Sequence, residues 1–97
     1  MIEALENSLL ITGTMLIGNA NALLEDGRKL MTSGKLSGEV VFDLAGVKET
    51  DSSALSVLLS LMRTARAQGM RLRITHPPAS ILSLAQTYGI SDLLPFA

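Results

Sequence analysis

The side chains with the clearest chemical potential stand together in KETDSSALSVLL, residues 48–59, where Asp51 precedes Ser52 and Ser53. With His76, these residues would supply the nucleophile, base and orienting carboxylate of a serine hydrolase. Asp51 adjoins the serine, however, so it is better placed to cap a helix than to orient a distant imidazole. The sequence also lacks the G-x-S-x-G turn that exposes such a nucleophile. We therefore expect no catalytic residues.

The composition argues against metal and cofactor sites. The chain has no cysteine and one histidine, so it offers neither a zinc–thiolate set nor a pair of histidine ligands. The nearest approach to a phosphate-binding P-loop is Gly34-Lys35, but Lys29 and Leu36 stand where the motif needs glycine and Ser or Thr. We expect no cofactor, no metal and no enzymatic activity.

The length of 97 residues predicts one domain, and the hydrophobic fraction of 47% predicts an aliphatic core, because only three residues are aromatic. The acidic start MIEALEN lacks the features of a secretory signal, and no apolar run reaches the ~18 residues of a membrane span. These features indicate a cytoplasmic protein without direct membrane insertion.

Charge is divided unevenly along the chain. Residues 1–51 hold eight acids and four bases, whereas residues 52–97 hold one acid and four arginines. The arginines lie within eleven positions: Arg63, Arg66, Arg71 and Arg73. They form either a solvated surface or a docking patch for an acidic surface. Without interleaved aromatic residues, they do not indicate nucleic-acid binding.

The elements that must position the serines alternate between strands and helices. The apolar periodicity predicts strands at 2–5, 8–15, 39–46 and 70–76, and helices at 19–33, 52–68 and after Pro77-Pro78 as far as Tyr88. The order β-β-α-β-α-β-α predicts an α/β fold, a small mixed β-sheet with helices packed on it. Gly27 is expected to weaken the first helix.

Loops that leave the carboxyl ends of parallel strands gather at one edge of a sheet, where ligands usually bind. Three loops should meet there, at residues 13–19, 47–53 and 76–79. The serine pair lies in the middle loop.

The helix predicted at 52–68 has an unusual polar face. At 100° per residue, that face holds Ser52, Ser56, Ser60 and Arg63, with Ser53 and Thr64 beside it, opposite Leu55, Leu58, Leu59, Leu61 and Met62. Small hydroxyl residues are poorer helix formers than Glu or Lys, but they leave a shallow surface that another protein can approach. The alternative is that these serines are only tolerated, and that the Asp51–Ser53 stretch only caps the helix.

Two stretches, FDLAGVKETDSSALSVLLSLMRTARAQG and MRLRITHPPASILSLAQTYGISDLLPF, resemble the STAS domain family. The family includes anti-sigma-factor antagonists and the MlaB-like subunits of phospholipid-transport ABC complexes. The similarity covers roughly residues 8–96 and is most specific from Asp43-Leu44 to the run Asp51-Ser52-Ser53-Ala54-Leu55. It implies that residues 1–97 form a single STAS domain.

The resemblance also implies roles for individual residues. Ser52 matches the Ser or Thr that a partner kinase phosphorylates in the antagonists, and that contacts the ATPase subunit in MlaB-like proteins. Ala54 stands where the antagonists usually have glycine, which favours the MlaB-like branch. The expected partner-binding residues are Thr50, Asp51, Ser52, Ser53, Ser56, Ser60 and Arg63, with Ser52 as the candidate for phosphorylation.

We therefore expect a non-enzymatic subunit that binds and regulates the ATPase of an ABC-type phospholipid transporter. It would be cytoplasmic and would reach the inner membrane only through this partner. The alternative is an anti-sigma-factor antagonist whose partners are a serine kinase and an anti-sigma factor.

Overall fold

The computed structural model describes residues 1–96, which form four strands and three helices. The elements are β1 (Ile2–Leu5), β2 (Ser8–Met15), α1 (Ala20–Met31), β3 (Glu39–Thr50), α2 (Ser53–Ala67), β4 (Arg71–Thr75) and α3 (Ala79–Thr87). Short 3-10 turns follow β2 and α3, at Ile17–Asn19 and Ser91–Leu93. The predicted α/β class and element order are confirmed. Within these 96 residues, no helix is long and apolar enough to cross a membrane.

The sheet is mixed, as the sequence predicted. Its strand order is β1-β2-β3-β4, with β1 antiparallel to β2 and the other two pairs parallel. Each parallel pair is connected through a helix, because a tight turn cannot return the chain to a parallel start. Phe42 in β3 lies opposite Leu9 in β2 and Ile74 in β4, and all three side chains are fully buried.

One face of the sheet carries the hydrophobic core. Alternate residues of β3, Val40, Phe42 and Leu44, are buried, as period-2 alternation requires when one face is covered. The helices bury residues at helical spacing: Leu23, Gly27 and Met31 of α1, Leu58, Leu61 and Ala65 of α2, and Ile81 and Ala85 of α3. Leu82 of α3 and Tyr88 just after it are exposed, because the buried stripe of this nine-residue helix passes through Ile81 and Ala85.

The end of β3 differs from the prediction. The sequence placed a loop at 47–53, but β3 continues to Thr50 and only Asp51 and Ser52 connect it to α2. The pairing of β2 with β3 shifts register near Gly13, whose φ is +85°, and near Gly46. A Cβ on Gly46 would lie 2.7 Å from Cγ2 of Thr12. Gly46 therefore permits a close approach within the strand and does not end it.

Gly27 has a packing role that the sequence did not reveal. It is buried where α1 crosses α2, and a Cβ there would lie 2.7 Å from Cδ2 of Leu61. The residue predicted only to weaken α1 is therefore a point of close approach between the two helices.

The segment after α3 covers part of the free edge of β4. The Ile74 N–H donates to the Pro95 carbonyl at 2.9 Å, and Ile74 forms a parallel bridge with Phe96. Leu94, between them and the 3-10 turn, is buried in the core. Unpaired strand edges invite pairing with other chains, so this segment protects the sheet.

Candidate functional site

The three loops predicted to meet at one edge of the sheet do lie together. The backbone N–H of Ile17, after β2, donates to Oδ2 of Asp51, after β3, at 2.9 Å. The hydroxyls of Thr50 and Ser80 lie 2.6 Å apart, so the end of β3 also contacts the first turn of α3. In place of the loop predicted at residues 76–79, this contact is made by Ser80, one residue beyond its end.

Asp51 caps α2, as the sequence predicted. Its Oδ1 accepts hydrogen bonds from the backbone N–H of Ser53, at 2.8 Å, and from the Ser53 hydroxyl. Ser52 already has helical dihedral angles, so Asp51 holds the capping position. The Ser53 hydroxyl, and then the Ile17 and Ser53 N–H groups, lower the pKa of the Asp51 carboxyl, because each stabilises the charged form. The carboxylate thus fixes both the helix start and the loop after β2.

The two adjacent serines have different surroundings. Ser53 is half-buried, and both its hydroxyl and its N–H are donated to Asp51. Ser52 is exposed and makes no capping hydrogen bond through its side chain. Ser52 is therefore the hydroxyl that a partner can reach, whereas Ser53 supports the local structure.

The polar face of α2 continues along the helix. Ser56 and Arg63 are exposed, and Ser60 is half-buried and accepts a hydrogen bond from Nη2 of Arg63 at 3.2 Å. Leu59 and Met62, placed opposite this face from sequence, are only half-buried. The serine face is thus bordered by apolar side chains and not by the fully buried core.

An open depression of about 440 Å³ lies beside the start of α2. Ser52 and Ser56 line it together with Leu59, Ile17 and Tyr88. Ile17 is 78% exposed and Tyr88 is 59% exposed, which is unusual for large apolar side chains at one site. Sequence reasoning missed both residues, although an isoleucine inside a predicted loop was a signal for Ile17. Exposed apolar and aromatic side chains gathered at one site suit contact with a protein surface.

The structure does not assemble a serine hydrolase triad from the residues considered above. Nδ1 of His76 lies 3.2 Å from Oδ1 of Asp43, while the Asp51 carboxylate binds Ile17 and Ser53. In the part of the chain that the structure describes, no three His, Cys, Asp or Glu residues cluster as metal ligands would.

Comparison of the sequence with family models finds the model described as "Mlab, STAS domain", which matches residues 3–95. A comparison with curated proteins finds no match.

Comparison of the fold finds solved structures of similar fold at low sequence identity. The anti-sigma factor antagonist SpoIIAA, unphosphorylated, matches with a TM-score of 0.66 at 15% identity, covering 89% of this chain and 80% of its own. The phosphorylated SpoIIAA of Bacillus matches with a TM-score of 0.69 at 15% identity, covering 100% and 89%. A sulfate transporter family protein from Wolinella succinogenes matches with a TM-score of 0.72 at 13% identity, covering 93% and 74%. At these identities the likeness establishes the fold.

Proposed function

The chain belongs to the STAS family, whose domains are generally non-enzymatic and regulatory, and from this premise we propose that it is the regulatory subunit of an ABC-type phospholipid transporter. It binds the cytoplasmic ATPase of that transporter through the start of α2 and the loops around it. Binding stabilises or regulates the ATPase, and the ATPase holds this subunit at the inner membrane. Residues 1–97 act as a single STAS domain.

One observation carries the proposal: the exposed hydroxyl of Ser52 lies beside a depression flanked by exposed apolar residues, Ile17 and Tyr88. The apolar residues that flank this depression are exposed in the isolated chain, and a partner can bury them. The description of the matching family model, which names the MlaB type of STAS domain, supports the choice of an ABC ATPase as partner.

A charge at Ser52 tests the assignment. We expect Ser52→Glu to raise the Kd for the transporter ATPase at least about tenfold in a calorimetric titration, because a carboxylate would enter a desolvated contact. The matched control is Ser37→Glu, an exposed serine in the loop before β3, at the opposite end of that strand. This control should bind like the wild type. Equal affinity of Ser52→Glu and the wild type would refute the assignment of the interface.

A second candidate function is that of an anti-sigma-factor antagonist controlled by phosphorylation of Ser52. The observation in its favour is that Ser52 is exposed at the N-terminal end of α2, where the helix dipole stabilises a phosphate. Incubation with a serine kinase that acts on such antagonists, followed by intact-mass measurement, distinguishes the two functions. One added phosphate on Ser52 that abolishes partner binding supports this second function.

A further inference from the structure

A groove continues from the serine site along α2. It consists of three adjoining depressions of about 440, 160 and 400 Å³ between α2 and residues 88–95. Leu59 lines both the first and the second depression, and Met62, Arg66 and Leu93 line both the second and the third. From Ser52 to Arg66 the helix rises by about 20 Å, so the groove extends well beyond the site described above.

The chemistry of the groove changes along its length. Its middle combines two apolar side chains, Met62, which is half-buried, and Leu93, which is 61% exposed, with Arg63 and Arg66. Its far end is basic, because Arg66 and Arg71 line it together with a single acid, Asp92.

Three of the four arginines that cluster in the sequence therefore share this groove. Among residues 1–96, no carboxylate lies within ion-pair distance of these three, and Asp92 is the one acid in the lining. The fourth, Arg73, pairs instead with Glu39 on the neighbouring strand at 3.1 Å. The groove thus carries an excess of unpaired positive charge from its middle to its far end.

We propose that this groove binds an amphipathic helix of a partner protein, about 12–14 residues long, whose apolar residues cover the middle of the groove and whose carboxylates face the arginines. The length follows from the 20 Å span and the rise of 1.5 Å per residue. A helix is the fitting form because Leu59, Met62 and Arg66 stand at i, i+3 and i+7, the spacing that packs against a second helix. The acidic end follows from charge complementarity. The inference extends the proposed docking surface, but its first test does not depend on the ATPase.

The first test selects random 14-residue peptides, displayed on phage, against the full chain. We expect the selected peptides to carry apolar residues at i, i+3, i+4 and i+7 and acids at one end. Arg66→Glu should weaken their binding about five- to tenfold, since an attraction becomes a repulsion, and Leu93→Ser should weaken it similarly. The matched controls are Arg73→Glu for charge and Leu5→Ser for exposed apolar area, because Leu5 is 60% exposed.

Three results would overturn the inference. The first is that no peptide is enriched, and the second is that binding responds equally to the groove variants and their controls. The third is that the wild type alone forms dimers that Arg66→Glu abolishes, as measured by light scattering, because the occupant would then be a second copy of the chain.

A titration with the transporter ATPase separates this inference from the proposed function. If Ser52→Glu weakens ATPase binding and Arg66→Glu leaves it unchanged, the proposed function holds and the ATPase does not supply the helix. If the ATPase does not bind the wild type, the proposed function fails, while the peptide selection still decides whether the groove binds an acidic helix.

Discussion

Replacing Gly27 by alanine tests the packing of α1 against α2, on which the position of the serine face depends. In an isolated helix this change is favourable by about 0.8–1 kcal/mol, because alanine loses less backbone entropy than glycine. Here the new methyl would lie 2.7 Å from Cδ2 and 3.3 Å from Cδ1 of Leu61. The methyl groups of Leu61 would therefore have to shift to make room for it.

The neighbours of Gly27 that would have to shift are packed in the core. Leu61 is fully buried, and Cδ1 of Ile2 lies 3.6 Å from the same Cβ position. Overpacking of a filled core costs about 1–3 kcal/mol. This cost is partly offset by the gain in helix propensity, so we expect Gly27→Ala to lower the free energy of unfolding by about 0–2 kcal/mol.

Urea unfolding followed by circular dichroism measures this change. The control is Gly18→Ala, because a Cβ at Gly18 has no atom within 4 Å and its φ is not positive. We expect this control to be neutral or to stabilise by up to about 1 kcal/mol. In the double variant with Leu61→Ala, the new methyl fills part of the cavity, so the combined loss should be smaller than the sum by about 0.5 kcal/mol or more. Stabilisation by Gly27→Ala with no coupling to residue 61 would refute the close approach.

Three further predictions concern the cap and the core. Because the folded chain lowers the pKa of the Asp51 carboxyl, the charged carboxylate stabilises the fold above the ordinary pKa of about 4. The difference in Tm between wild type and Asp51→Asn should therefore be full at neutral pH and shrink as the pH falls through the lowered pKa. A difference that grows on acidification would contradict this. Ser53→Ala should lower the Tm, because the Ser53 hydroxyl donates to Asp51, whereas Ser52→Ala should leave the Tm unchanged. If a thermal melt instead shows a lower Tm for Ser52→Ala only, the structural role belongs to Ser52 and not to Ser53. Phe42→Ala should lower the free energy of unfolding by about 3–5 kcal/mol in urea, because this side chain is fully buried between β2 and β4; a loss under 1 kcal/mol would place it outside the core.

The fold could be predicted from the sequence because its elements depend on local patterns. The alternation of apolar residues identified the strands, and the helical spacing from Leu55 to Ala65 identified α2. The predicted end of β3 was wrong because Gly46, judged from the sequence alone, resembles a residue that ends a strand. Its close approach to Thr12 depends on a neighbouring strand that only the folded chain brings near.

In the candidate site, too, the features that depend on local sequence were predicted, and those that depend on distant residues were not. The capping role of Asp51 is local and was predicted, but its bond to Ile17 spans 34 positions and was not. The arginine cluster was visible in the sequence, whereas its division between a groove and an ion pair with Glu39 depends on how α2 and β4 lie together. Exposure of Tyr88 likewise depends on which stripe of α3 is buried.

The strand order β1-β2-β3-β4 has a consequence for how this protein forms during synthesis. The strands lie side by side in the same order as in the chain, so each of β2, β3 and β4 pairs with the strand that left the ribosome immediately before it. The sheet grows at one edge as translation proceeds, and no strand must insert between two that are already paired. Because translation at about 5–20 residues per second is slower than the closing of short loops, the platform beneath α2 can assemble in the order in which it is made.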